Sequence, residues 1–232
     1  MGTLDLGKTK IVTKLPEIRA ARSSPSQICD TFHSSLGKLG LKEIYGLLLH
    51  KPGQLDSDLR PNILRALHMI MADKHVKKIG LSVYESESLS QWLEMFPFQI
   101  VQLPCNVFDR RFEISGWLSR LRAREVEIHA RSVFLQGSLL RPPGQLPQNL
   151  AKFSPHWSSW HKWLQDQNLS PLSGCLAYVA GLKEISHLVV GVDSADELEA
   201  ILDCRWPKDL TVPKILAADN LSLIDPRCWS IA

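Results

Sequence analysis

The sequence has no long apolar run and no concentrated charge of one sign. None of its segments approaches the roughly 18 consecutive apolar residues that a membrane-spanning helix needs, so we expect no membrane partner. Its 27 Lys and Arg are interspersed among 24 Asp and Glu, which is unlike the basic stripe of a nucleic-acid-binding protein. The first residues lack the basic and apolar regions of a secretory signal, and this favours a cytoplasmic protein.

The sequence is also poor in cysteine. Its five cysteines form no C-x-x-C pair and are odd in number, which argues against a disulfide framework and against a structural zinc site. We therefore predict a reducing compartment and no metal. The balance of 44% apolar and 22% charged residues is typical of a folded globular chain, and we expect one domain over residues 1–232.

What the sequence does contain is a repeated alternation of short apolar runs with longer segments of helical period. The runs are nearly continuous, as in parallel strands that are covered on both faces. Six strands are predicted, at Lys10–Lys14, Ile44–His50, Lys78–Tyr84, Ile100–Asn106, Val126–Ser132 and Leu188–Asp193.

The segments between the runs carry helix signals. Apolar residues at 59, 63, 67 and 70 form one stripe of an amphipathic helix. Ser170 before Pro171 predicts a capped helix start, and Ser194 with Glu197 has the spacing of a capping box. Strands that alternate with helices predict a parallel sheet, either doubly wound or a (β/α) barrel, and spacing alone does not choose between them.

Two segments depart from this alternation. Prolines between Arg141 and Pro147, followed by the Trp-rich stretch His156–Trp163, predict a loop insertion before the last strand. Residues 203–232 are expected to form an irregular C-terminal tail.

Polar side chains follow the predicted strands at the point where each strand ends. Ligands of parallel α/β proteins gather at these carboxyl ends, and burying a polar group without a partner costs a few kcal/mol. The polar strand ends are Thr13-Lys14, His50, Ser82-Val83-Tyr84, Gln102 with Cys105-Asn106, Arg131-Ser132, and Gly191-Val192-Asp193-Ser194.

Taken in order, these strand ends resemble the aldo/keto reductase family over roughly Lys10 to Leu202. Ile11-Val12-Thr13-Lys14 is similar to the family's third strand with its catalytic lysine, and Leu47-Leu48-Leu49-His50 to the fourth strand with its catalytic histidine. The stretches VQLPCNVFDRR and IHARSVFLQGSLL are similar to a bacterial branch found with surface-sugar biosynthesis. The resemblance implies an NAD(P)H-dependent oxidoreductase that reduces a small or sugar-like carbonyl compound.

The resemblance also implies a cofactor site for NADPH, with NADH as the other possibility. Val83 stands where the family usually has Asn, and Cys105 where it has the aromatic ring that stacks on nicotinamide. Asp193 is negative near the expected phosphates, whereas Ser194 opens a helix whose N-terminus attracts anions. The implied cofactor-binding residues are Ser82, Gln102, Asn106, Ser132, Gly137, Gly191 and Ser194.

The resemblance begins at the family's third strand, so it implies an incomplete (β/α)8 barrel with about six of eight units. The family's catalytic Asp and Tyr come from its second strand and the loop that follows, which leaves Tyr84 as the tyrosine nearest to a strand end here. We therefore expect that the chain alone is N-terminally truncated and inactive. The alternative is a non-catalytic barrel remnant that serves as a binding or scaffold protein. In either case the open barrel edges predict self-association.

Overall fold

The computed structural model describes residues 9–207 and 210–229. Their six strands lie in one open parallel sheet in chain order, and the prediction of a parallel α/β sheet is confirmed. The strands are β1 (Val12–Leu15), β2 (Ile44–Leu49), β3 (Val76–Ser82), β4 (Ile100–Pro104), β5 (Glu127–Arg131) and β6 (His187–Leu188).

Strand β6 is much shorter than the predicted run Leu188–Asp193. Its ladder with β5 joins His187 to His129 and Leu188 to Ala130. The next residue still donates from Val189 N to Ala130 O at 2.7 Å, but the chain then leaves the sheet. Apolar composition alone therefore overestimated a strand that has a neighbour on one side only.

Nine α-helices are found in the described residues. They are α1 (Pro25–Leu39), α2 (Arg60–Ala72), α3 (Leu89–Met95), α4 (Arg111–Ile114), α5 (Trp117–Ala123), α6 (Ser154–Asp166), α7 (Pro171–Gly181), α8 (Ala195–Asp203) and α9 (Leu221–Ile224). The predicted stripe faces inward on α2, where Ile63, Leu67 and Ile70 are fully buried. Both serine caps form, because Ser170 accepts from Ser173 N and Ser194 from Glu197 N. The other half of the predicted capping box differs, since the Glu197 carboxylate accepts from Asp193 N. None of the described helices is long and apolar enough to cross a membrane.

The Trp-rich stretch is helical, and the prediction of a loop there was wrong. It lies within α6, where Trp157 and Trp160 have no exposed surface. Their indole Nε1 atoms donate to the Ser138 and Leu139 carbonyls at 2.9 and 3.2 Å. The apolar spacing of three was an amphipathic helix signal, but the preceding prolines hid it.

The described chain forms two compact units. Unit 1 contains residues 9–103 and 123–127, and unit 2 contains residues 104–122, 128–207 and 210–229. In unit 1, Gly80 allows close strand contact, since a Cβ there would lie 2.2 Å from the Ile100 carbonyl oxygen.

The end of unit 2 is mostly irregular, with short helices at Lys214–Leu216, Leu221–Ile224 and Pro226–Cys228. An ion pair links it to the start of α4, since Arg111 Nη1 lies 3.6 Å from Asp225 Oδ2. Arg227 donates to both carboxylate oxygens of Asp225, and Arg111 bonds in the same way to Asp109. Burial raises the pKa of Asp225, but the bonds from Arg227 outweigh it, and the net pKa lies below its usual value.

Candidate functional site

Two predicted catalytic residues lie at the ends of neighbouring strands in unit 1. Lys14 is half-buried on β1 and is the register partner of Leu48 on β2. His50 follows β2 directly, and its backbone N donates to the Leu15 carbonyl at 3.2 Å. The parallel pairing therefore places the Lys14 and His50 residues at the carboxyl ends of two adjacent strands.

Ser82 and Gln102 form a second pair of strand-end residues in unit 1. They are register partners on β3 and β4, with 3% and 5% of their surfaces exposed. The backbone oxygen of Gln102 accepts from Val83 N at 2.8 Å. The side-chain Oε1 of Gln102 is buried and has no hydrogen-bond partner among the described residues. An orphaned buried acceptor costs about 1–3 kcal/mol, so this site suits a ligand that brings an N–H donor.

A nicotinamide fits this requirement. Its carboxamide carries two N–H donors and one acceptor, which match the orphaned Gln102 oxygen and the neighbouring Ser82 hydroxyl. Val83 is 1% exposed, so it contributes core packing and not the amide that the resemblance led us to look for.

Asn106 is fully buried in unit 2, and its side chain is used within the protein. Its Nδ2 donates to the Ser132 carbonyl at 3.0 Å. Its Oδ1 accepts from the backbone N of Phe108 and of Asp109 at 3.0 and 2.9 Å. The side chain thus holds the Ser132 loop in place, and a direct cofactor contact from Asn106 stays a prediction.

The residues after Asn106 also bond within unit 2. Arg110 is 3% exposed and donates to the carbonyls of Val107, Val212 and Pro213, which fastens the C-terminal segment. Cys105, at the position of the family's stacking ring, is 2% exposed, and burial raises the pKa of its thiol. The thiol therefore stays protonated near neutral pH.

Unit 2 contains a cavity of about 600 Å³ that brings together three of the predicted phosphate-end residues. Ser132, Gly137 and Gly191 line it, so the loop after β5 meets the segment after β6. Ser194 is not among the lining residues, although its neighbour Asp193 is. The volume lies in the range of small-molecule sites.

The loop that lines this cavity has an unusual backbone. Ser132, Leu135 and Gln136 have positive φ values of 59°, 45° and 55°, and Gly137 follows at 75°. Such conformations cost of order 1–3 kcal/mol each in non-glycine residues and cluster at ligand sites. Some N–H groups of this loop bond within it, from Leu135 N to the Ser132 carbonyl at 2.9 Å and from Ser138 N to the Leu135 carbonyl at 3.1 Å.

Three charged side chains line the same cavity. Arg131 ends β5, and its Nη1 donates to Ser132 Oγ at 3.3 Å. Asp193 and Glu197 lie at the start of α8, where Glu197 Oε2 accepts from Asp193 N at 2.8 Å. The sequence showed Glu197 only as half of a capping box, and its position in a cavity wall required the tertiary structure.

Two of the three tyrosines donate hydroxyl hydrogen bonds to carboxylates, and neither lies at the carboxyl end of a strand. Tyr45 donates to Glu127 at 2.5 Å in unit 1, and Tyr178 donates to Glu113 at 2.5 Å in unit 2. Glu127 also binds Lys78 at 2.7 Å. Burial lowers the pKa of Lys78, but its bonds to Glu127 and Tyr45 outweigh this effect and raise it overall. Tyr84, which follows β3, is half-buried.

The prediction of no metal stays a prediction. In unit 2, the register partners His129 and His187 bring two imidazole rings to 4.7 Å between their centroids. Imidazole is a common ligand of transition metals, so this pair is the natural place to test for one.

Comparison with known proteins identifies the family. The Aldo/keto reductase family description matches residues 6–209, and the chain belongs to this family. The chain is similar to the aldo-keto reductase AKR11C1 from Bacillus halodurans in its holo form, with 18% identity, a TM-score of 0.67, and coverage of 89% of this chain and 68% of that one. It is also similar to the glycerol dehydrogenase AKR11B4 from Gluconobacter oxydans, with 19% identity, a TM-score of 0.60, and coverage of 86% and 72%. No curated protein matches the sequence significantly.

At 18% and 19% identity, the similarity to these solved structures supports the fold of this chain. The described sheet matches that of aldo-keto reductase (β/α) barrels, so the fold predicted from the strand ends is confirmed. Six strands are present in the described residues, whereas such barrels have eight.

Proposed function

We propose that this chain is an NAD(P)H-binding oxidoreductase of aldo/keto reductase type. The observation that carries this proposal is the orphaned Gln102 oxygen beside buried Ser82 at the carboxyl ends of β3 and β4. In the proposal, these two side chains hold the nicotinamide carboxamide. As a separate proposal within unit 2, Ser132, Gly137 and Gly191, which line its cavity, bind a phosphate group, with Arg131 as a nearby cation.

The chemistry of the site follows from its residues. A bound nicotinamide supplies a hydride to a carbonyl carbon. The Lys14 ammonium and the His50 ring are at adjacent strand ends, where they donate hydrogen bonds to the carbonyl oxygen and polarise it. The proposed substrate is a small or sugar-like carbonyl compound, as in the bacterial branch that the sequence resembles.

Binding is tested by calorimetric titration of the chain with NADPH and NADH. Gln102→Leu is expected to weaken binding about tenfold, because it removes the acceptor for the carboxamide N–H. Gln165→Leu, at an exposed position on α6, is the matched control and should leave binding unchanged. Equal affinities for the wild type and Gln102→Leu would show that the carboxamide does not bind there.

We also propose that the 232-residue chain alone, although of oxidoreductase type, shows no measurable carbonyl reduction, because binding of the cofactor and polarisation of the carbonyl do not replace a tyrosine acid. Tyr45 and Tyr178 donate to carboxylates, and a missing general acid typically costs 10²–10⁴ in rate. The test is cofactor oxidation with a panel of aldehydes. Oxidation that Lys14→Met or His50→Ala abolishes would refute the proposal, and its further loss in Tyr84→Phe would identify Tyr84 as the acid.

The alternative function is a non-catalytic binding or scaffold protein. It is favoured by one observation, the exposed apolar face that α8 and the preceding segment present. The exposed fractions are 43% for Leu198, 66% for Leu202 and 38% for Val192. Exposed apolar clusters mark interaction surfaces, and we propose self-association through this face.

Sedimentation velocity tests this proposal. The wild type is expected to form dimers or larger species, whereas Leu198→Ser with Leu202→Ser should be monomeric. Ile215→Ser provides the matched control, because Ile215 is 89% exposed on another segment. A monomeric wild type would exclude self-association.

Fractionation of the native host would test the proposed cytoplasmic location.

A further inference from the structure

We infer that His129, His187 and Glu127 form a binding site for one divalent transition-metal ion such as Zn²⁺. One ring nitrogen of each histidine and one oxygen of the carboxylate all lie within 4.8 Å of one another. Two imidazoles with a carboxylate are a ligand set that Zn²⁺ uses in proteins. None of the three residues belongs to the proposed catalytic or cofactor-binding set. The expectation of no metal came from the cysteine spacing, which carries no information about histidines far apart in the chain.

The two histidines lie side by side because β5 pairs with β6 in unit 2. His129 is the register partner of His187, and their ring centroids are 4.7 Å apart. A backbone bond just before His187 supports this register, since Ser186 N donates to the Ile128 carbonyl at 2.9 Å. Strand pairing therefore brings the two imidazoles together before any ion binds.

Glu127 supplies the carboxylate of the site. It lies two residues before His129 on the same strand, and side chains at this spacing share one face, so its place beside the histidine depends on β5 alone. Tyr45 and Lys78 donate to Oε1 of Glu127 at 2.5 and 2.7 Å. Carboxylates that bind metals are in general held by such bonds, and Oε2 is the oxygen that we assign to the ion.

The exposure of the three side chains gives the site an entry path. His129 is 4% exposed, Glu127 is half-buried and His187 is exposed. The ion therefore reaches the site from the side of His187, and water completes its coordination. Tetrahedral coordination by Zn²⁺ places ligand atoms about 3.3 Å apart, and rotation of the exposed His187 ring brings its nitrogen to that distance.

Metal binding at this site fastens strand β6 to the sheet. The strand has two residues, and among the described strands it has a neighbour on one side only, so few backbone bonds hold it. An ion that joins His187 to two side chains of β5 cross-links the two strands. Because the unfolded chain does not bring these ligands together, the ion stabilises the folded chain.

Calorimetric titration of the chelator-treated chain with Zn²⁺ tests the site without requiring turnover. The wild type is expected to bind one Zn²⁺ there, and excess Zn²⁺ should raise the midpoint temperature of thermal unfolding. His187→Ala, at an exposed position that should not affect folding, is expected to weaken binding at least about 100-fold and to abolish this rise. Glu127→Gln should weaken binding at least about tenfold, because an amide is a poorer ligand than a carboxylate.

His33→Ala is the matched control. It removes one imidazole from another histidine pair, in unit 1, where the ring centroids of His33 and His75 are 5.9 Å apart and Asp73 Oδ2 lies 3.5 Å from His33 Nε2. It should leave the Zn²⁺ affinity and the thermal shift unchanged. Absence of Zn²⁺ binding by the wild type, equal affinity in His187→Ala, or an equally large loss in His33→Ala would overturn the inference. Unchanged affinity in Glu127→Gln would overturn the three-ligand site.

Discussion

Helices α7 and α8 begin in the same way but have opposite fates in unit 2. Each opens with a serine whose hydroxyl accepts from a backbone N three residues later, Ser170 in α7 and Ser194 in α8. All seven residues from Ser173 to Val179 are buried in α7, whereas no residue of α8 is buried. A local capping signal therefore fixes where a helix starts and says nothing about what covers it.

The difference follows from composition and from neighbours. The α7 sequence PLSGCLAYVAG has no charge, and its Gly174 packs against Trp160 and Leu164 of α6. The α8 sequence ADELEAILD alternates acids with leucines, and its leucines meet no partner in the described chain that buries them. The stability of unit 2 should thus depend strongly on α7 and weakly on α8.

The largest expected effect is the loss of the α6 tryptophan beside α7. Trp160→Ala should destabilise the chain by about 3–5 kcal/mol, because the ring is fully buried and its Nε1 bonds to Leu139 O. Leu202→Ala on α8 should change stability by less than about 0.5 kcal/mol. Urea denaturation measures both, and similar losses would contradict the contrast between the helices.

A second prediction concerns small residues in the two helices. A Cβ at Gly174 would lie 2.5 Å from Leu164 Cδ2 and 2.7 Å from Trp160 Cη2, so Gly174→Ala should cost about 1–3 kcal/mol despite better helix propensity. Ala200→Gly on exposed α8 should cost about 1 kcal/mol through propensity alone. If Gly174→Ala stabilised the chain in the same denaturation assay, the close packing of α6 and α7 would be disproved.

A third prediction uses the buried hydroxyl of α7. Tyr178→Phe should cost about 1–3 kcal/mol, because it removes the donor to Glu113 Oε2 and keeps the ring over the Arg110 guanidinium.

The same tyrosine has a pH signature. Burial raises the pKa of Tyr178 above its unfolded value near 10, so the unfolded chain loses this proton first as pH rises. Its contribution to stability is present below about pH 10 and is lost as pH rises toward its folded pKa. Between pH 8 and 11, the midpoint temperature of thermal unfolding should decrease less steeply with pH for Tyr178→Phe than for the wild type. Parallel curves would contradict the assignment.

The smallest expected effect is the one that the two helices share. Ser170→Ala and Ser194→Ala should each cost about 1 kcal/mol, since each removes one cap acceptor at an exposed position. Helix content by circular dichroism and denaturation midpoints measure both. A much larger loss for Ser170→Ala would show that the start of α7 is coupled to its buried body.

The candidate site also depends partly on local sequence and partly on contacts between residues far apart in the chain. Gln102 and Ser82 were predicted from their place at strand ends, and the pairing of β3 with β4 brings them together. Asn106 was predicted on the same ground, yet its partner is the Ser132 carbonyl, 26 residues away. The strand-end pattern could not separate an orphaned side chain from one whose bonds are made within the protein.

The sequence by itself determined the positions of the first five strands and the two serine caps, because these depend on periodicity and on contacts within a few residues, and its ordered strand-end motifs indicated the family. It overestimated the sixth strand. It failed for the Trp-rich helix α6, where neighbouring prolines masked the helical spacing. Only the tertiary structure decided that Gln102 Oε1 lacks a partner, that Asp193 and Glu197 share a cavity wall, and that α7 is buried while α8 is not. Burial and hydrogen-bond satisfaction are set by residues far apart in the chain, such as Arg110 and Val212, and local sequence does not contain that information.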